Sequence, residues 1–187
     1  MITSYKEYIG RYLLPSGLNG EKSPGEHHFV ATYLVPKLFS INQTVPDYIN
    51  PDGTKQKIGD IVYFKEGKHH FGIEVKIETI RLTKNEFNSW IVNENTIDHP
   101  DIFIGIDTAG IIILPWGEFR NAYLSSVGIS EPQPIVKKNE YGPLKRINKL
   151  FAEGKDGAGY LPNVESDDEG KQYELDFELL LRSAIDK

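Results

Sequence analysis

Residues 59–77 read GDIVYFKEGKHHFGIEVKI, and this stretch decides the fold. Its composition predicts two β-strands joined by a tight turn. The first strand begins at Asp60, the turn falls at residues 66–68, and the second strand covers residues 71–77. The rest of the chain is expected to be arranged around this hairpin.

The second strand is predicted to have one apolar face and one polar face. Its apolar residues alternate with Gly72, Glu74 and Lys76. Because successive side chains in a strand point to opposite faces, Glu74 and Lys76 share a face, ~7 Å apart along the strand. The opposite face belongs to the hydrophobic core.

The length of the turn decides whether Asp60 joins Glu74 on the polar face. A three-residue loop places Asp60 opposite Glu74, whereas a two-residue loop shifts the register by one residue and sends Asp60 to the other face. A pairing of the two carboxylates therefore requires the longer loop or a β-bulge.

Two carboxylates beside a lysine are suited to metal-dependent chemistry at a phosphate. Carboxylate oxygens bind a hard cation such as Mg²⁺, which activates water and offsets charge at the phosphate. A lysine ammonium positions the water or stabilises the developing negative charge. The alternative is that Asp60, Glu74 and Lys76 form a surface ion network, which is common and contributes little stability.

Length and composition limit the class of protein. The chain has 187 residues, enough for one domain with a core. It has no cysteine, which excludes disulfides and cysteine-based zinc sites. No apolar run approaches the ~20 residues of a membrane helix, and no secretory pattern opens the chain, so a cytoplasmic protein without a membrane span is expected. A formal net charge of −6 disfavours DNA binding by the chain alone, so that either a local basic surface or a partner would have to supply the affinity for phosphates.

Capping boxes predict where two helices begin. Ser23, with proline next and Glu26 three residues on, starts a helix that runs to about residue 39. Thr83 with Glu86 starts another, which runs to about residue 95. The later elements are predicted as strands at residues 101–106 and 111–114, covered on both faces, helices at 116–127 and 141–151, and a glycine-rich acidic loop at 153–172.

Asp60, thirteen further residues and then Glu74-Val75-Lys76, on consecutive strands followed by a helix, resemble the PD-(D/E)XK nuclease superfamily. Gly59 stands where that superfamily usually has proline. The resemblance covers roughly residues 23–115. It implies an α/β fold of the restriction-endonuclease type, in which helices flank a mixed central β-sheet. Residues 1–187 would form a single nuclease domain, with a core at about 23–127 and a helical addition at about 139–187.

The resemblance also implies an activity, the Mg²⁺-dependent hydrolysis of phosphodiester bonds in double-stranded DNA. Asp60 and Glu74 would hold the metal, the Val75 carbonyl would complete the site, and Mn²⁺ would substitute for Mg²⁺. Lys76 would act on the water or on the transition state. Many members have a glutamate on the helix before the sheet that reaches the metal, and Glu26 matches that place. Its roles as cap and as catalytic metal ligand both stay open.

A narrower resemblance is to the small, strand-cutting subunit of heterodimeric type IIS restriction endonucleases. It rests on the chain length and on the sequence around Glu26 and the motif, and it implies a larger partner subunit that recognises the DNA sequence. The acidic net charge fits such a partner. The alternatives are a stand-alone repair or junction-resolving nuclease of the superfamily, and a non-catalytic DNA- or protein-binding subunit with the same fold.

Two further groups of side chains have competing interpretations. The pairs His27-His28 and His69-His70 suggest a zinc site. They are poor chelators of a single ion, however, because adjacent side chains diverge in a strand or a helix. A basic cluster is either a solvated helix face or a DNA contact. Its members are Lys137, Lys138, Lys145, Arg146 and Lys149.

Overall fold

The computed structural model describes residues 61–65, 68–93, 99–107, 110–137, 140–147, 149–150, 160–162, 178–179 and 182. These residues form a mixed α/β fold around a five-stranded sheet. The strands of this part of the chain are β1 (Ile61–Lys65), β2 (Lys68–Ile77), β3 (Thr79–Ile80), β4 (Ile102–Asp107), β5 (Gly110–Pro115), β6 (Lys145–Arg146) and β7 (Tyr160–Pro162).

The main sheet has the strand order β1-β2-β4-β5-β7. Strands β2 and β4 are parallel, and the other neighbours are antiparallel. The predicted mixed α/β sheet is therefore confirmed, and β2 lies inside it with a neighbour on each side. Strands β3 and β6 form a separate antiparallel pair, the β3–β6 ribbon.

The hairpin of β1 and β2 combines a short loop with a β-bulge. Lys65 pairs with Lys68, so two residues separate the strands, and the register shifts between Tyr63 and Phe64. Beyond this bulge Ile61 pairs with Ile73. The bulge alternative is confirmed, because a two-residue loop without a bulge would have produced the other register.

The first described helix begins at its predicted capping box. Helix α1 (Lys84–Glu86) is capped by Thr83, whose hydroxyl accepts from the Glu86 N–H at 3.3 Å. The Glu86 carboxylate accepts from the Thr83 N–H at 2.6 Å. The chain continues as a π-helical segment, Phe87–Val92, whose Phe87, Trp90 and Ile91 are buried as predicted.

Helix α2 (Trp116–Ser126) confirms the predicted helix and covers one face of the main sheet. The rings of Phe119 on α2 and Phe103 on β4 stack with centroids 3.8 Å apart. Trp116 lies edge-on to Trp90, with centroids 5.7 Å apart. These aromatic contacts join α2, the π-helical segment and the sheet into one core.

The other face of the main sheet is apolar and buried. Ile73 and Val75 on β2 and Ile104 on β4 have no exposed surface. Every residue of β4 is buried. The predictions of an apolar face on β2 and of later strands covered on both faces are confirmed.

The helix predicted over residues 141–151 is wrong in its first part. Tyr141 forms an isolated β-bridge with Thr83, and Lys145–Arg146 is strand β6. The Ile147 N–H donates to the Glu78 carbonyl at 2.9 Å. Pairing with the chain after β2 satisfies these backbone groups, and this tertiary pairing overrides the helical spacing of the apolar residues.

The region after residue 139 also contributes to the main sheet. Strand β7 lies within residues 153–172, which were expected to be a loop, and it pairs with β5 through Ile112 and Tyr160. A helical addition is therefore an incomplete description of residues 139–187. The helix predicted at residues 23–39 lies outside the described residues. Within the described ranges, no helix is long and apolar enough to cross a membrane.

The buried hydroxyl of Tyr123 makes the fold sensitive to high pH. It donates a hydrogen bond to the Pro143 carbonyl, and its burial raises the pKa of the phenol. The neutral phenol is thus favoured in the folded state. The buried neutral phenol therefore adds to the free energy of unfolding. This contribution is complete below the ordinary pKa of 10.0 and is lost as the pH rises toward the raised pKa of the folded state.

We therefore expect Tyr123→Phe to cost about 1 kcal/mol at pH 8, through the lost hydrogen bond. Between pH 8 and pH 11 the original protein should lose about 1 kcal/mol more stability than this variant. Urea unfolding at both pH values measures this difference. Tyr141→Phe, at a half-exposed position, is the control and should follow the original protein. Parallel pH dependence of the original protein and Tyr123→Phe would contradict the account.

Candidate active site

Strand β2 brings Glu74 and Lys76 together on one face, as the alternation predicts. The parallel register with β4 pairs Glu74 with Phe103 and Lys76 with Gly105. Glu74 and Lys76 therefore lie on the face that α2 covers, and Val75 points to the opposite, apolar face. The Val75 side chain is fully buried there. The predicted metal ligand is not this side chain but the Val75 carbonyl oxygen.

The side chains of Glu74 and Lys76 form a buried ion pair. Glu74 is 3% exposed, Lys76 is 8% exposed, and Glu74 Oε1 contacts Lys76 Nζ directly. Charged groups are expensive to remove from water unless they are paired and hydrogen-bonded. The alternative of a surface ion network is therefore wrong for Glu74 and Lys76, because both side chains are buried.

Two glycines make room on this face. Gly72 precedes Glu74 on the same face, and Gly105 lies beside Lys76 on β4. A Cβ at Gly105 would come within 2.9 Å of the Phe103 ring and 3.4 Å of Ile147. The Phe103 ring and Ile147 therefore occupy the space that a side chain at Gly105, the β4 neighbour of Lys76, would need.

Asp101 fixes the start of β4 next to the candidate site. Its carboxylate accepts from the Gly72 N–H at 2.6 Å, and its own N–H donates to the Gly72 carbonyl at 2.8 Å. Its carbonyl accepts from the Trp116 N–H at 2.7 Å, which joins β2, β4 and the start of α2. The sequence places Asp101 only at a strand end, so this role was missed.

Asp107 is a further buried acid on this face. Among the described residues, the buried charged side chains are Glu74, Lys76 and Asp107, the last with 7% exposure. Because Gly105 pairs with Lys76, Asp107 lies two residues farther along the same face of β4. Sequence reasoning placed Asp107 in the turn after the strand and gave no signal of its burial.

The remaining predicted site residues lie outside the described part of the chain. Asp60 immediately precedes β1, and Glu26 lies far upstream. The pairing of Ile61 with Ile73 is the register that the metal-site prediction requires, since Glu74 is the next position on β2. Within the described ranges, no group of three histidine or acidic side chains is arranged to hold a metal ion. The predicted ligand set therefore stays a prediction.

Of the two histidine pairs, one lies within the described residues and the other does not. His69 and His70 lie in β2, where His69 pairs with Phe64 and His70 falls at the bulge. His27 and His28 lie outside the described residues.

The members of the predicted basic cluster make different contacts. Lys137 pairs with Glu140 at 3.5 Å, and the Lys145 ammonium donates to the Ser126 carbonyl at the end of α2, at 2.8 Å. Arg146 and Lys149 are exposed, and Lys138 lies outside the described residues. Arg81, which the sequence did not single out, is exposed near Tyr141 instead.

Comparison with protein-family models, with curated proteins and with solved structures found no match. The chemistry of the site therefore has to be inferred from the residues themselves.

The buried pair leads to a prediction about stability. Lys76→Met leaves Glu74 charged and without its lysine, and we expect a loss of about 3 to 5 kcal/mol in the free energy of unfolding. The double variant Glu74→Gln/Lys76→Met should be less destabilised than the sum of its single variants, because it leaves no isolated charge.

Urea unfolding at neutral pH measures these differences. Lys137→Met is the matched control, because it breaks the exposed pair with Glu140 and should cost less than about 1 kcal/mol. An equal cost for Lys76→Met and Lys137→Met would contradict the burial of the pair.

Proposed function

We propose that this chain is a divalent-metal-dependent DNA endonuclease of the PD-(D/E)XK type, with a fold of the restriction-endonuclease class. The observation that carries the proposal is the buried Glu74–Lys76 pair on an interior strand. A lysine held inside a sheet against a carboxylate costs stability, and a catalytic role explains why both residues are there.

The bulged hairpin also supports the proposal. Its register pairs Ile61 with Ile73, so Asp60 is expected opposite Glu74 if the pairing continues by one residue. The order of elements supports it as well. The Glu-x-Lys strand is followed by a helix and then by a parallel strand, β4, as expected for a mixed sheet flanked by helices.

In the proposed mechanism, Asp60 and Glu74 would supply carboxylate oxygens for Mg²⁺, and the Val75 carbonyl would be a further ligand. The metal, when bound, supplies an activated water and offsets charge at the phosphate. Lys76, oriented by its contact with Glu74, holds that water or the developing negative charge at the phosphoryl oxygen. A new bond forms between phosphorus and the water oxygen as the bond to the leaving ribose oxygen breaks. One water proton passes to solvent, and the ribose oxygen takes up a proton from solvent to leave as a hydroxyl. Glu26 would add a carboxylate directly or through water.

We further propose that the chain is the strand-cutting small subunit of a heterodimeric restriction enzyme, and that a larger subunit recognises the DNA sequence. The formal net charge of −6 supports this arrangement, since an acidic protein needs another source of affinity for phosphates.

The catalytic part of the proposal is tested on supercoiled plasmid DNA with Mg²⁺ or Mn²⁺. We expect nicked circles as the product, and no nicking in EDTA. Lys76→Arg keeps a cation beside Glu74 but moves its charge, so it should stay folded and nick at least about 100-fold more slowly. Lys137→Arg is the control and should nick like the original protein. Full nicking by a folded Lys76→Arg variant would contradict the mechanism.

The metal site is tested without DNA by titrating Mn²⁺ and following the free ion by electron paramagnetic resonance. Asp60→Asn and Glu74→Gln should each weaken Mn²⁺ binding at least about tenfold, because each removes a charged ligand. Glu140→Gln, at an exposed carboxylate, should leave it unchanged. If the folded original protein fails to bind Mn²⁺, the non-catalytic binding subunit becomes the better account.

The two-subunit part has its own test. The purified chain alone should produce no cut at a defined sequence when the products are mapped. Sequence-specific cutting by the chain alone would refute the need for a partner. Preferred cutting of branched DNA would instead favour a stand-alone junction-resolving nuclease.

A further inference from the structure

The β3–β6 ribbon, together with the residue that follows β3, presents two arginines on its outward side. Ile80 and Leu82 are fully buried while Arg81 between them is exposed, so Thr79 and Arg81 face outward. Arg146 pairs with Thr79 across the ribbon and is also exposed. Within the described part of the chain, neither arginine has a carboxylate partner.

Tyr141 orients one of these arginines. The Arg81 guanidinium carbon lies 4.0 Å from the centroid of the Tyr141 ring, and Tyr141 is 47% exposed. A cation–π contact uses the flat face of the guanidinium, so the N–H donors at its edge can bind an anion. We call Arg81, Tyr141 and Arg146 the arginine face.

The arginine face is attached to the end of the strand that carries Glu74 and Lys76. A single residue, Glu78, separates β2 from β3 and has a positive φ of 60°. Its N–H donates to the Ile106 carbonyl at 2.7 Å, and its carbonyl accepts from Ile147 at 2.9 Å. The ribbon is therefore held to both β4 and the chain after β6.

The distance between the arginine face and the ion pair suits a nucleic acid strand. Arg81 follows Lys76 by five residues, which an extended chain spans in at most about 18 Å. Five nucleotides or fewer of one DNA strand, at about 3.4 Å each, cover that separation. A strand bound beside Lys76 can therefore reach Arg81.

We propose that the arginine face binds the phosphate backbone of DNA next to the candidate active site. This inference rests on the proposed function and specifies where the DNA lies. A planar guanidinium binds two phosphate oxygens at once, which makes arginine well suited to this contact. Such contacts position the duplex without reading its sequence. In a chain with a net charge of −6, a local basic face gives the DNA backbone a favourable contact on this subunit, beside whatever affinity a partner supplies.

The test measures binding of the whole chain to a short fluorescein-labelled DNA duplex by fluorescence anisotropy, in EDTA and at low salt. We expect Arg81→Ala/Arg146→Ala to weaken binding at least about tenfold. The magnitude of the slope of log affinity against log salt should fall by about 2, because two phosphate contacts are lost. Arg81→Gln/Arg146→Gln should show the same losses and serves if the alanine variant is unstable.

The control is Lys137→Ala/Arg182→Ala, which removes the same charge from two exposed side chains that do not belong to the ribbon. It should change the affinity less than about twofold. Tyr141→Ala should weaken binding about twofold to fivefold, because a cation–π contact at an exposed site is worth about that much. Tyr141→Phe keeps the aromatic ring and should bind the duplex like the original protein. Thermal unfolding checks that each variant is folded.

Three results would overturn the inference. They are an original protein that does not bind the duplex at low salt, equal losses in the ribbon and control variants, and an unchanged affinity in the ribbon variants. The last is expected if the arginine face binds an acidic protein partner instead.

Failure of this inference can be distinguished from failure of the proposed function, because the assay contains no metal and measures no cleavage. A chain that binds DNA through the arginine face but never nicks it would refute the nuclease proposal and leave this inference standing.

Discussion

A lysine ammonium and a glutamate carboxylate inside a β-sheet impose the strictest condition on this structure. Lys76 and Glu74 are both more than nine-tenths buried, and each offsets the charge of the other. Because they alternate with apolar residues on β2, a shift of the strand by one residue would place both charges in the apolar face and bring Val75 to the polar one. The register of β2 against its neighbours is therefore fixed by electrostatics as well as by hydrophobic burial.

That register depends on contacts at both edges of β2. On one side, the bulge in the hairpin compensates for a loop of two residues. On the other side, Asp101 closes a pair of hydrogen bonds with Gly72 and so sets the start of the parallel strand β4. The absence of a side chain at Gly105, which pairs with Lys76, lets the Phe103 ring and Ile147 pack against the backbone of β4. The candidate chemistry and the packing of the core thus depend on the same few positions.

The elements that could be predicted from sequence are those with local physical causes. Alternation in β2, the capping box at Thr83 and the apolar runs of β4 and β5 each act over a few residues, and each is present in the structure. The bulge could only be stated as one of two options, because loop length and bulge compensate for each other in the register. Tertiary pairing decided the elements that sequence reasoning missed. Strands β6 and β7 form only because partner strands lie beside them.

The same distinction applies to the candidate site. Glu74 and Lys76 could be assigned to one face from spacing alone. Their burial could not, since it depends on which later element covers that face, here α2. The basic cluster was defined by sequence proximity, and the structure divides it because the Lys145 ammonium binds the end of α2 and Lys137 pairs with Glu140. Arg81 gave no signal in sequence, because its contact with Tyr141 arises only when the fold brings the two side chains together.

The most direct test of the central claim is a crystal structure of the chain soaked in Mn²⁺, with the metal located by its anomalous scattering. The account predicts one Mn²⁺ ion bound by the carboxylates of Glu74 and Asp60, with the Lys76 ammonium close by. An Asp60 side chain on the opposite face from Glu74, or an ion pair that excludes metal from Glu74, would contradict the account. The Glu74–Lys76 pair would then be a structural element of the core.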